Sequence, residues 1–123
     1  MILLLVGAAG FAGAVARYVV DLWAVARFGS NVPLGTLAVN LLGALLLGIF
    51  FGATAARAGI PEEVRAPIAV GFIATFTTFS TYLLDAWIRF ERGELTFATA
   101  YLVGSVVAGL LVLRVGLFIG RGA

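Results

Sequence analysis

Apolar residues dominate four long stretches of this chain, and short polar segments separate them. Each stretch has about 20 or more residues, the length that an α-helix needs to cross the hydrocarbon core of a bilayer. No stretch alternates apolar and polar residues as a membrane β-strand does. The pattern therefore predicts an all-α membrane protein with four transmembrane helices, forming one domain over residues 1–123. The expected spans are residues 2–26, 33–56, 67–90 and 95–120.

The third stretch is polar at its centre. Five hydroxyl residues fall between Thr75 and Thr81, where the bilayer would be driest. Polar or non-helical backbone at that depth is tolerated only where protein buries it or a wet cavity meets it. Threonine and serine side chains also hydrogen-bond back to helical carbonyls and loosen the helix. We expect the functional centre of the protein in this segment.

Composition excludes several classes of function. The chain is 63% hydrophobic and 11% charged, whereas soluble domains carry about 25% charged residues. Cysteine and histidine are absent, which removes thiol nucleophiles, histidine bases and the usual zinc ligands. The sequence shows no pairing of a nucleophile with a base, so it does not indicate an enzyme. The net charge of +2 is too small to suggest a nucleic-acid partner. We expect a multi-pass protein of the cell inner or plasma membrane, with the lipid bilayer as its surroundings.

Arginine is distributed evenly between the two sides of the predicted bundle. Orientation in a membrane follows the excess of Lys and Arg on one side, and here each side has the same number. One interpretation is a weakly biased protein that something else orients. The interpretation we favour is dual topology, in which copies insert both ways and pair as an antiparallel dimer. One side carries Arg57, Arg65, Arg114 and Arg121, and the other carries Arg17, Arg27, Arg89 and Arg92.

Two GxxxG motifs, at residues 48–52 and 116–120, permit close contact between helices. Packing within one chain and packing between chains explain them equally well. The i, i+4 spacing of Asp85 with Arg89 predicts an ion pair along one helix. Arg17 is expected either to pair with Asp21 at the same spacing or to extend its charge to the membrane interface, and a cation that attracts ions at a pore mouth is a further alternative.

Polar side chains inside the predicted spans are the candidate functional groups. Asn40 and Thr36 share a face of the second span, and Tyr101 and Ser105 share a face of the fourth. Their amide and hydroxyl donors suit an anion. No acidic residue lies at the middle of a span, so a proton-coupled cation exporter has no obvious carboxylate to use.

An aromatic stripe runs along the third span through Phe72, Phe76 and Phe79. Such stripes usually serve packing, but phenyl rings have positive edges. Ring edges beside hydroxyl and amide donors would also suit an anion. These residues therefore favour a selective anion path.

Three motifs resemble those of a known family, the small fluoride channels of the Fluc type (the CrcB family). Residues 10–18, GFAGAVARY, are similar to its first-span motif. Residues 33–43, PLGTLAVNLLG, are similar to its second-span motif, and residues 71–82, GFIATFTTFSTY, to its third-span core. The resemblance covers nearly the whole chain. It implies a passive, selective channel that exports fluoride and reduces its toxicity.

The same resemblance implies an architecture. We expect an antiparallel dual-topology homodimer with two pores, in which the third helix breaks at mid-membrane. A structural sodium ion at the dimer centre would bind the backbone carbonyls that map to Ala74 and Thr77. The residues that map to the fluoride pore are Asn40, Phe79, Tyr82, Thr36, Tyr101 and Ser105.

Three positions depart from the family pattern. A second pore phenylalanine maps to Tyr82, the usual glycine of the break maps to Ala74, and a frequent hydroxyl maps to Gly109. These departures keep two alternatives open: a non-conducting scaffold and a subunit of a heterodimer. A dual-topology small multidrug exporter is a further alternative, but it needs a carboxylate in the first span, where Asp21 lies only near the end.

Overall fold

The computed structural model describes residues 1–55, 57 and 59–122, and every regular element within them is helical. Four helical segments are long and apolar enough to cross a membrane. The predicted fold class, an all-α protein with four membrane-capable helices, is confirmed. The helices are α1 (Ile2–Phe28), α2 (Leu34–Ala55), α3 (residues 62–76), α4 (Ser80–Glu91) and α5 (Leu95–Gly120), with α3 and α4 together forming the third segment.

Two predicted positions lie outside the described residues. They are Ala56, the expected end of the second span, and Ala123, the last residue of the expected domain. The described part of α2 ends at Ala55, and α1 continues to Phe28.

The third segment begins at Glu62, before the expected start at Pro67. Glu62 and Glu63 occupy its first turn, where their negative charges interact favourably with the positive end of the helix dipole and stabilise the helix. Pro67 lacks the N–H that an α-helix would use. The segment continues past it as a π-helix over Pro67–Ile73, whose hydrogen bonds join each residue to the fifth one before it.

Glycines bring α2 and α5 into backbone contact. A Cβ atom added to Gly116 would lie 3.0 Å from the Gly48 Cα and 2.5 Å from the Leu45 carbonyl oxygen. A Cβ atom added to Gly52 would lie 3.0 Å from the Gly120 Cα. The two GxxxG motifs therefore pack against each other within one chain, which resolves the question that the sequence left open.

Helix α1 packs on α3 through small residues as well. A Cβ atom on Gly71 would lie 2.9 Å from the Val6 carbonyl oxygen, and the Thr75 hydroxyl oxygen lies 3.1 Å from the Gly10 carbonyl oxygen. Most large apolar side chains point outward, including Phe11 and Leu3 on α1. Such an arrangement suits a bundle whose outer faces meet lipid or another chain.

The third segment is interrupted at residues 77–79, about midway along its length. Thr77 leaves the helix with φ −84° and ψ 163°. At the end of α3, two hydroxyls donate back to helical carbonyls. The Thr75 hydroxyl donates to Gly71 at 2.6 Å and the Thr77 hydroxyl to Ile73 at 3.2 Å. The family resemblance implied a break at mid-membrane, and the chemistry of the hydroxyl run predicted this back-bonding.

Candidate functional site

Asn40 of α2 binds both backbone groups of Thr78 at the break. Its Oδ1 accepts the Thr78 N–H at 2.7 Å, and its Nδ2 donates to the Thr78 carbonyl at 2.9 Å. In a continuous helix the Thr78 N–H would donate to the carbonyl of Ala74. Asn40 therefore accepts the N–H that would otherwise bind the Ala74 carbonyl. The backbone can leave the helix at this point without leaving the Thr78 N–H unpaired.

Thr78 also begins the second half of the segment. Its side-chain oxygen accepts the Thr81 N–H at 3.4 Å and lies 3.1 Å from the Thr81 hydroxyl. In a continuous helix the Thr81 N–H would donate to the Thr77 carbonyl. The carbonyls of Ala74 and Thr77, which the family resemblance singled out, are thus among those that lose their helical donors at the break, and their donors bind Asn40 and Thr78 instead. The long contact from the Thr77 hydroxyl, 3.3 Å, is all that Ala74 receives from a side chain in the described residues.

A groove of about 240 Å³ lies beside the break, on the side of α5. Four of the six predicted pore residues meet there. Phe79 leaves 71% of its surface exposed, so its ring is accessible from the groove. We call this cavity the aromatic groove. It is lined by Asn40, Thr77, Thr78, Phe79, Tyr82, Ser105 and Val106.

The Tyr82 hydroxyl does not face the aromatic groove as a free donor. It donates to the carbonyl of Leu102 and so ties α4 to α5. The Tyr82 ring lies 6.0 Å from the Phe79 ring and 5.3 Å from the Tyr101 ring, centroid to centroid. What Tyr82 presents to the groove is therefore its ring, as a phenylalanine would.

The other two predicted pore residues lie away from the groove. Tyr101 packs behind Tyr82, and its hydroxyl is 3.4 Å from Asp85 Oδ2, at the limit for a hydrogen bond. Thr36 is buried and lines two further cavities. The structure thus does not collect all six residues into one cavity.

These two further cavities adjoin each other between α1, α2 and α4. Their volumes are about 240 and 270 Å³, and they share Asp21, Gly35, Thr36 and Thr81. We call them together the charged vestibule. Thr78 lines both the vestibule and the aromatic groove, so the Asn40–Thr78 pair stands between the two spaces. The charged residues lining the vestibule are Arg17, Asp21, Asp85, Arg89 and Arg92.

The two predicted intrahelical ion pairs do not form among the described residues. Arg89 pairs instead with Glu94 at 2.8 Å and lies 4.6 Å from the Phe97 ring centroid. Spacing along a helix brings side chains near each other, but Glu94 and Phe97 together offer Arg89 both an ion pair and a ring face. Neither Arg17 nor Asp21 makes an ion pair in the described part of the chain.

Sequence reasoning missed the roles of Thr78, Thr81, Leu102 and Asp21. Thr78 and Thr81 belonged to the hydroxyl run but carried no signal that separated them from their neighbours. Leu102 contributes only a carbonyl, which no residue type reveals. No cluster of three metal-ligating His, Cys, Asp or Glu side chains occurs in the described residues.

Comparison with known proteins agrees on one family. The sequence model described as "CrcB-like protein, Camphor Resistance (CrcB)" matches residues 4–117. A protein named "Fluoride-specific ion channel FluC" from Prosthecochloris aestuarii is 41% identical over 118 residues, covering 96% of this chain and 91% of the relative. A protein of the same name from Nitrobacter winogradskyi is 43% identical over 119 residues, covering 97% of this chain and 94% of the relative.

Proposed function

Because this chain belongs to the CrcB-like family, we propose that it is a fluoride channel, the activity that its relatives carry in their names. It is a multi-pass membrane protein and not an enzyme. The observation that carries the proposal is the aromatic groove, which joins Asn40, Ser105 and two aromatic rings at the break. The cell membrane is the proposed location, where the channel would let fluoride leave passively and so reduce its toxicity.

The aromatic groove offers what a dehydrated anion needs. Fluoride is small and strongly hydrated, so a path must replace its water with donors. The Asn40 amide has two N–H groups, and one of them donates to the Thr78 carbonyl, which leaves the second for an ion. The Ser105 hydroxyl and the positive ring edges of Phe79 and Tyr82 supply the remaining favourable contacts.

The test is an efflux measurement on purified protein in liposomes. We expect fluoride to leave far faster than chloride, because the groove offers amide and hydroxyl donors that can replace the water of a small, strongly hydrated anion and no carboxylate of the described residues lines it. Asn40→Asp should abolish flux, since it places a negative charge where an anion must pass, at a cost of roughly 3 kcal/mol in the membrane centre. Equal rates for the two anions, or no flux of either, would contradict the proposal.

We further propose that two copies form an antiparallel dual-topology homodimer. The even arginine distribution supports it, and so do the outward apolar residues of α1 and the exposed ring of Phe79. The chain has no cysteine, so a single Ser30→Cys in the α1–α2 loop can be labelled from either side of the membrane. We expect similar labelling from both sides. Labelling from one side alone would rule out the antiparallel arrangement.

A sodium ion at the centre of that dimer is proposed on the chemistry of the break. The carbonyls of Ala74 and Thr77 are hard oxygen donors whose helical N–H partners are diverted to Asn40 and Thr78. Freed carbonyls of a broken helix are suitable sodium ligands. Bound sodium would place a positive charge beside these carbonyl oxygens, in place of the N–H groups that they have lost. We expect the unfolding midpoint of the purified protein to fall when N-methylglucamine replaces sodium, and an unchanged midpoint would contradict the site.

The alternatives differ in what they need. A multidrug exporter receives no support from the family that the chain matches. A non-conducting or heterodimeric subunit is the alternative that the departures at Tyr82, Ala74 and Gly109 keep open. Of these, Tyr82 still lines the groove while its hydroxyl donates to the Leu102 carbonyl, and Ala74 is assigned a role only through its backbone carbonyl. Fluoride flux from the protein purified alone would exclude a non-conducting subunit and a subunit that conducts only as a heterodimer.

A further inference from the structure

Asp21 lies where the two cavities of the charged vestibule meet. It lines both of them, together with Gly35, Thr36 and Thr81. The vestibule leads inward to Thr78 at the break. An ionisable side chain within a membrane span is expected to have a functional role, and the groove that we assign to fluoride makes no use of this one.

The structure fixes the position of Asp21 through backbone packing. A Cβ atom added to Gly35 would lie 2.5 Å from Asp21 Oδ1 and 2.9 Å from the Asp21 Cα. Only a glycine on α2 leaves room for this side chain. Within the described residues no ion pair neutralises the carboxylate, so its charge acts on the vestibule.

The charges that face the vestibule nearly cancel. Helix α1 contributes Arg17 and Asp21, and α2 contributes no charge. Helix α4 contributes Asp85 and Arg89, but the Arg89 charge is neutralised by Glu94. Arg92, after α4, completes the set. Two positive groups, Arg17 and Arg92, therefore oppose two negative ones, and removing Asp21 would leave the vestibule positive.

We propose that Asp21 is an electrostatic brake that limits the rate at which fluoride reaches the pore. A vestibule lined by one sign of charge concentrates counter-ions and speeds their arrival. Asp21 removes that advantage by offsetting Arg17, one helical turn before it. The inference rests on the proposed function, because it concerns the access route of the same ion.

The experiment compares fluoride efflux of the wild type and Asp21→Asn, at fluoride concentrations below saturation. We expect Asp21→Asn to raise the rate about 3- to 10-fold at low ionic strength. Adding the salt of an impermeant anion should bring the ratio towards one, because salt screens exposed charges. Asp21→Glu should keep the wild-type rate. The control is Glu91→Gln, which neutralises an exposed carboxylate of α4 that lines neither cavity and should change nothing.

A second variant keeps the inference testable if Asp21→Asn does not fold. Arg17→Gln should slow efflux at low ionic strength, because two carboxylates then face one arginine. An unchanged or faster rate in Arg17→Gln, or an Asp21→Asn rate that does not rise or that rises independently of salt, would overturn the inference. A wild type that passes no fluoride would instead refute the proposed function itself.

Discussion

Helix α2 makes two contacts of opposite character. Towards α5 it presents glycines, and the two backbones touch with no polar side chain between the paired motifs. Towards the break it presents Asn40, whose amide binds both backbone groups of Thr78. At the contact with α5, the backbone hydrogen bonds of each helix stay within that helix. At the contact with the break, the backbone of Thr78 has no helical partner and binds the Asn40 side chain instead. We call the Asn40–Thr78 contact the open contact, because the backbone there lacks helical hydrogen bonds, and the glycine contact with α5 the closed contact, because both helices are continuous there. The comparison shows that this fold places a polar side chain at the open contact and small residues at the closed one.

The largest expected effect is at the open contact. Asn40→Leu would leave the N–H and carbonyl of Thr78 without partners, and each unpaired buried group costs about 1–3 kcal/mol. We expect a large fall in the unfolding midpoint in detergent and no fluoride flux. Asn31→Leu, at an exposed amide in the α1–α2 loop, serves as the control. A stable and conducting Asn40→Leu protein would show that Asn40 does not hold the break.

Thr77→Pro should come next. Proline removes the N–H that Thr77 donates to the Ile73 carbonyl at 3.2 Å, and it disfavours the helical conformation of Phe76 before it. We expect a destabilisation of about 3 kcal/mol and lost flux. Ala74→Gly is the matched control, because only the backbone of Ala74 is assigned a role. If Thr77→Pro conducts like the wild type, the last turn of α3 has no influence on the path.

A smaller effect is expected at the closed contact. In Gly116→Ala the new methyl group would meet the backbone of α2, and such overpacking costs about 1–3 kcal/mol. Gly109→Ala, on the same helix, has nothing within 4 Å of the added carbon and should be neutral or stabilising. Thermal unfolding of both variants in one detergent provides the comparison. Equal midpoints would mean that α2 and α5 do not need their close approach.

The smallest effect should follow Tyr82→Phe. It removes the hydrogen bond to the Leu102 carbonyl, which is worth about 1 kcal/mol, and leaves the ring in the groove. Fluoride flux should be kept or raised. Transport that stops in a folded Tyr82→Phe protein would make the hydroxyl a direct ligand.

The sequence predicted the features that local chemistry determines. Four apolar stretches predicted four membrane-capable helices. The hydroxyl run around Thr77 indicated a loosened helix at the centre of the third segment, and the family resemblance implied the break there. The partner of the break could not be predicted from composition, because Asn40 and Thr78 are 38 residues apart and only packing joins them. The wrong pairing of Asp85 with Arg89 has a different origin. Helix spacing identified a partner on the same helix, whereas Glu94 lies five residues from Arg89, beyond the turn that ends α4, and Phe97 of α5 adds its ring face.

The diverted N–H of Thr78 also has a consequence for assembly. Before α2 and the third segment meet, Asn40 is absent from the break, and a lipid-embedded backbone must satisfy its hydrogen bonds internally. The third segment is then best served by one continuous helix in which Thr78 binds Ala74. We therefore expect the interruption of that helix to accompany the docking step, in a chain whose second and third spans have already met.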